Sequence, residues 1–122
     1  MPVNLMFDPQ NRYVVYELSD PLDMRELNDA YEQELAYRDA TQNTVHLLAD
    51  ISGARKLPTN WLSAQATPGL KHPRSGEILL VGLSMSIRMA VEVVAKVANF
   101  DRLRFFNTRE EADAHLQMLL EQ

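Results

Sequence analysis

Along this chain, apolar residues recur first at every second position, then at every third or fourth, and the alternation predicts the elements in order. Asn4 to Phe7 and Arg12 to Leu18 read as strands around the turn Asp8-Pro9-Gln10-Asn11. The run Tyr13-Val14-Val15-Tyr16 has the β-branched and aromatic character of strands. Asp20-Pro21 predicts a helix start, with Asp20 as N-cap and Pro21 in the first turn. Met24, Leu27, Tyr31 and Leu35 supply its apolar stripe. Val45 to Ala49 is a short buried strand ending at Asp50, and Gly53 and Pro58 break the loop after it. A second helix is expected over Thr59 to Ala66, before the breaks at Pro68-Gly69 and Pro73. Glu77 to Val81 reads as a strand and Ser84 to Ala98 as a helix with Arg88, Glu92 and Lys96 on one stripe. Leu103 to Phe106 is the last strand. Thr108 to Leu120 is the last helix, opened by a capping box of Thr108 and Glu111, with Ala112, Leu116, Leu119 and Leu120 facing inward.

The order ββαβαβαβα predicts an α/β fold, with a mixed, mostly parallel sheet of about five strands and about four helices. A short turn makes the first strand antiparallel to the second. No repeat or linker interrupts residues 1–122, so one domain is expected. Its 46% hydrophobic and 24% charged residues are ordinary for a globular domain. The absence of cysteine excludes disulfides, thiolate metal sites and cysteine nucleophiles. Met1 to Phe7 lacks the pattern of a signal peptide, and Arg88, Glu92 and Lys96 interrupt the longest apolar run, Ile78 to Phe100. A cytoplasmic protein with no membrane span is therefore expected. A net charge of −5 argues against general nucleic-acid binding. The segment Asp20 to Asp39 carries that whole excess and reads as a solvated helix face, whereas Ile51 to Gly76 holds Arg55, Lys56, Lys71 and Arg74 and no acid.

In open α/β sheets, ligands favour the crevice beyond the carboxyl ends of the strands. Asp50, Ser52 and Gly53 would reach that edge after the central strand, Thr59 and Trp61 from the second helix, and Ser84 and Ser86 from the third. Helix N-termini and the neighbouring acid-free stretch suit an anionic ligand or a protein partner there. The plainer roles of the same residues are N-caps for Ser84 and Thr59 and turn contacts for Asp50. Trp61, the single tryptophan, suits a pocket, an interface or the core about equally. The third helix is apolar over more than one stripe. Packing on the sheet and on a neighbouring helix accounts for that most simply, and a homodimer through Met85, Met89 and Val93 or the wall of a lipid-like cavity is the alternative. His46, His72 and His115 show no metal spacing, and neither a nucleophile elbow, a phosphate loop nor a dinucleotide fingerprint is present. No catalytic residue, metal or cofactor is expected.

Three segments resemble the STAS domain, the family of the anti-sigma factor antagonist SpoIIAA. They are Val14 to Leu22, Val45 to Gly53, and Phe105 to Ala112. The last is similar to the opening of the final helix in the SpoIIAA-like branch of uncharacterised bacterial proteins. The resemblance implies a non-enzymatic regulatory module that binds a protein partner and is linked to phosphorylation. The family's phosphoserine motif falls on Pro58-Thr59-Asn60-Trp61, which makes Thr59 the implied phosphosite, with Pro58 and Trp61 in place of the family's Asp and Gly. The SpoIIAA-like fold also resembles lipid-transfer domains, which implies a small hydrophobic-ligand carrier as the alternative. A phosphoacceptor receiver fits less well, because Asp8 lacks an acidic neighbour and no Lys follows Phe106.

Overall fold

The computed structural model of the chain describes residues 2–55, 70 and 72–122. Two strands open the chain, β1 (Val3–Phe7) and β2 (Tyr13–Ser19). Asp8 builds the turn between them: its carboxylate accepts the amides of Gln10 and Arg12, each at 3.1 Å, while Asn11 takes the left-handed φ of 61° that asparagine tolerates. Next come α1 (Met24–Asp39), β3 (Val45–Gly53), β4 (Ser75–Val81), α2 (Met85–Val97), β5 (Leu103–Phe106) and α3 (Arg109–Leu120). The strands lie in the order β1-β2-β3-β4-β5, with β1 antiparallel and all other pairs parallel. The described residues thus form the expected α/β fold with five strands and three helices. The expected helix over Thr59 to Ala66 lies outside the described residues.

Both faces of the sheet are covered. Val14, Tyr16, Leu18 and Ile51 face Leu27 and Ala30 of α1. On the same side, Ile78 and Leu80 face Val91 and Ala95 of α2. On the other side, Val15, Leu48, Leu79 and Val81 meet Ala112 and Leu116 of α3. Burial on two faces explains why β4 reads as a continuous apolar run and not an alternation. Each fully buried leucine or valine here contributes about 1.5–3 kcal/mol.

Several sequence expectations change. The N-cap of α1 is Asp23, whose carboxylate accepts the Arg25 amide at 2.8 Å. Asp20 is occupied elsewhere, accepting the Arg55 amide at 3.0 Å and so tying β2's exit to β3's. Leu35 is 44% exposed, while Glu34 and Arg38 are buried beneath α1. Their ion pair, at 2.7 Å, turns part of the charged segment inward, so that segment is not wholly a solvated face. β3 continues past Asp50 to Gly53, because Gly53 still pairs with Ser19 of β2. No other described helix covers the apolar excess of α2: Met85, Met89, Val93 and Val97 are 68, 59, 62 and 84% exposed. The caps of the last two helices follow expectation. Ser84 accepts the Ile87 amide at 3.4 Å, and Thr108 accepts the Glu111 amide at 3.2 Å.

Candidate functional site

The carboxyl ends of the parallel strands gather part of the expected site. In β3, Asp50 points to the α3 side of the sheet, beside Glu17 of β2, its partner in register. One oxygen of Asp50 accepts both the amide of Ser52, at 3.0 Å, and its hydroxyl, at 2.6 Å. The other faces Arg109 at 3.5 Å. Arg109 also bonds Glu17 at 2.7 Å and Asp113 at 2.9 Å. Burial alone would lower the pKa of Arg109, but its bonds to Asp113 and Glu17 outweigh that and keep the guanidinium charged. The bond from Arg109, then the one from Asn4, holds Glu17 below the usual carboxylate range. Three carboxylates around one guanidinium leave this cluster net negative. That disfavours a small anion at this point of the edge.

Gly82 closes the turn from β4 towards α2 against Ser52. Its φ is +81°, and a Cβ there would sit 2.7 Å from the Ser52 Cβ. This contact joins the Asp50–Ser52 corner to the turn leading into Ser84 and Ser86, whose hydroxyls lie 3.4 Å apart. Gly53 serves the backbone, its carbonyl accepting the Asp20 amide at 3.2 Å. The structure therefore brings together Asp50 and Ser52, with the Gly82 turn packed on them, and uses Ser84 as a helix cap. Thr59 and Trp61 lie outside the described residues. Arg109 and Glu17 are the members that sequence reasoning missed. A hint was present: Arg109 sits in the first turn of α3, where a cation opposes the helix dipole and needs acidic partners.

A polar cavity of about 160 Å³ opens nearby between Arg88, Phe105, Asn107 and Glu111. Arg88 stacks over the Phe105 ring, 4.3 Å from its centroid, and pairs with Glu92 at 3.1 Å. Its charge is thus already engaged. On the face of the sheet that α1 and α2 cover, an apolar cavity of about 80 Å³ is lined among the described residues by Leu27, Tyr31, Leu47, Ile78, Leu80 and Val91, with Tyr16 and Glu34 at its polar end. Burial, then the nearby Glu34 charge, pushes the phenols of Tyr16 and Tyr31 well above the usual range, so both stay neutral donors.

At the other end of α3, Glu77 holds His115 at 2.8 Å and Arg104 at 3.3 Å. His46 lies across Gly76, where a Cβ would come within 2.2 Å of its Nδ1, and that nitrogen accepts the Glu77 amide at 3.0 Å. Burial lowers the pKa of His46. The unfolded chain therefore holds more protons in the window below the ordinary histidine value, and stability falls as pH drops through about 6.5. His46→Asn keeps an acceptor for the Glu77 amide and removes the titration. Urea denaturation at about pH 7.5 and about pH 5.5 should show a smaller acid loss for this variant than for the wild type. Equal losses would refute the assignment. No group of three His, Cys, Asp or Glu side chains is placed to hold a metal among the described residues, and no described helix is long and apolar enough to cross a membrane.

Among solved structures, the chain is similar to RsbS from Moorella thermoacetica in a serine-to-glutamate form. The TM-score is 0.56 and the identity 16%, with 100% of each chain covered. No protein-family model and no curated protein matches the chain. The chain has the STAS/SpoIIAA-like fold, and the likeness extends from its first strand to its last helix.

Proposed function

We propose that this chain is a non-enzymatic STAS-like regulatory module that acts by binding a protein partner, with phosphorylation as its switch. The full-length likeness to RsbS carries the reading. That relative was solved with a serine replaced by glutamate, a change that puts a negative charge where a hydroxyl stood, as a phosphate would. In this chain the hydroxyl assigned to the switch is Thr59, on the resemblance of Pro58 to Trp61 to the family motif. Asp50, Ser52, Gly53, Ser84 and Ser86 would form the adjoining partner surface. The described polar groups at that edge support a binding role, because they are engaged in holding one another. Asp50 is committed to the Ser52 hydroxyl, which it accepts, and to Arg109.

Incubation with ATP and the serine/threonine kinases of the host, read by intact mass, should add one phosphoryl group to the wild type and none to Thr59→Ala. Thr59→Glu should change the retention of a co-purifying partner. A chain that stays unmodified and retains no partner would end this reading. The hydrophobic-carrier alternative has less support: the apolar cavity of about 80 Å³ is well below the roughly 300–1,000 Å³ of ordinary ligand pockets.

A further inference from the structure

β5 is the last strand of the sheet, and among the described residues it pairs on one side only, with β4. The carbonyls of Arg102 and Phe106 accept the amides of Ile78 and Gly82, at 2.9 and 3.2 Å, so these residues turn their backbone groups towards β4. In a parallel pair, alternate residues turn theirs away. Leu103 and Phe105 therefore present their N–H and C=O groups at an open edge. The Leu103 carbonyl accepts from the Arg104 guanidinium at 3.1 Å and keeps a second lone pair. A groove of about 370 Å³ lies against the same edge. Its strand residues are Leu103 and Phe105, and α2 and the turn after it supply Ala95, Lys96, Asn99 and Phe100. Leu103 and Phe105 also pack towards Val91 and Ala95 of α2, so the residues with outward backbone groups are those whose side chains face the groove.

We propose that this edge takes up an extended acidic segment of a protein partner as a further strand, with an apolar residue at every second position. Strand addition uses the backbone groups of an exposed edge for affinity and pockets for alternate side chains for specificity. Both are present here: the outward groups of Leu103 and Phe105, and the groove beneath their side chains. The charge of the segment follows from the surroundings. In a chain of net charge −5, the rim of this groove is locally positive. Glu92 is paired with Arg88 at 3.1 Å and Asp101 with Arg102 at 3.6 Å, whereas Lys96 has no acidic partner among the described residues. On the reverse face of β5, Arg104 is exposed beside the incoming strand. A second copy of the chain fits less well. Two β5 strands paired through both outward residues would set Arg104 against Arg104, and like charges directly opposite are destabilising.

The size of the edge fixes the strength. β5 has 4 residues, and a strand of that length buries far less than the roughly 800 Å² per partner of a standard interface. The contact is therefore weak, with a Kd of about 0.1–1 mM. It goes beyond the regulatory reading. It uses neither Thr59 nor the residues of the Asp50–Ser84 edge, so it stands or falls apart from that reading.

The probe is a synthetic peptide of alternating valine and glutamate, titrated into the full isotope-labelled chain and followed by amide NMR. The amides of Leu103 and Phe105 should exchange fast in the free chain and slow by about fivefold or more at saturation. Those of Arg104 and Phe106, already turned towards β4, should change little. Only alternate amides of an added strand face its neighbour. N-methylation of the valines or of the glutamates should therefore abolish binding in one set and spare it in the other. Lys96→Glu should weaken binding about two- to fivefold and shift the preference towards a peptide of alternating valine and lysine. Lys96 is exposed, so thermal melts of this variant should not move. No binding up to about 5 mM peptide would overturn the proposal. Binding that leaves the Leu103 and Phe105 amides unprotected, or that ignores which set is methylated, would overturn it in favour of unspecific charge attraction. Protection of the same two amides by self-association of the free chain would overturn it in favour of a second copy.

Discussion

Arg38→Met should destabilise the fold by about 3–5 kcal/mol, the usual cost of stranding one partner of a buried ion pair. Arg38 is fully buried, and its Nε meets Glu34 at 2.7 Å while another guanidinium nitrogen donates to the Val45 carbonyl at 3.0 Å. Glu34 is 1% exposed and also accepts the Tyr16 hydroxyl. Methionine fills much of the arginine's volume, so the loss would not be a cavity effect. It would come from a carboxylate left in an apolar setting with a single donor, and from an open carbonyl at the start of β3. Small domains hold about 5–15 kcal/mol in total, so the variant should be marginal at room temperature.

A second variant separates charge from packing. Glu34→Gln with Arg38→Met leaves no buried charge and keeps an acceptor for Tyr16. Replacing both partners of a buried pair is often far milder than removing one. Equilibrium urea unfolding of the three chains should place the double variant clearly above Arg38→Met. If the double variant is as damaged as the single one, the guanidinium's contact with Val45 and the packing matter more than the pair. One guanidinium nitrogen, Nη2, has no partner among the described residues, which fits a pair retained for registry between α1, β2 and β3 more than for net stability.

This pair marks where sequence reading stopped. Strands with β-branched runs, such as Tyr13 to Tyr16, and helices with strong caps, such as those opened by Ser84 and Thr108, announce themselves locally. Their boundaries follow from residues a few positions apart. Glu34 and Arg38 do not, because polarity sorts them to the outside. Only the continued spacing Leu27, Ala30, Glu34, Arg38 keeps them on the inner face, while Leu35 falls off it. The site divides in the same way. Asp50 and Ser52 are visible at the end of a buried strand. Arg109, 59 residues further along, reaches them only because β5 and α3 fold back over the sheet. Likewise, the exposed ridge of α2 could not be told from a doubly packed helix, since both show the same excess of apolar residues. What distinguishes them is whether another element lies over that side.

The same corner supplies the second large effect. Gly82→Ala should cost about 2–5 kcal/mol, summing about 1–2 kcal/mol for a side chain in the left-handed region and about 1–3 kcal/mol for the overlap. The φ of +81° is demanded by the turn from β4 towards α2, whose amide at Gly82 donates to the Phe106 carbonyl at 3.2 Å. The new Cβ would lie 2.7 Å from the Ser52 Cβ, 2.8 Å from its Cα and 3.0 Å from its amide nitrogen. Two of these atoms are backbone, so no rotamer change relieves the contact. Ser52 is itself fixed by two bonds to Asp50, and Asp50 by its pairing with Val81 and Glu17. Strain at Gly82 must therefore pass into the Asp50–Arg109 cluster. Gly53→Ala is the matched comparison: it has no left-handed φ, and its nearest contact is the Leu18 carbonyl oxygen at 3.0 Å. Thermal and urea unfolding should rank Gly82→Ala well below Gly53→Ala, and partner binding should fall with it. A Gly82→Ala chain within 1 kcal/mol of the wild type, by about the least that a left-handed alanine costs, would show that the corner can yield.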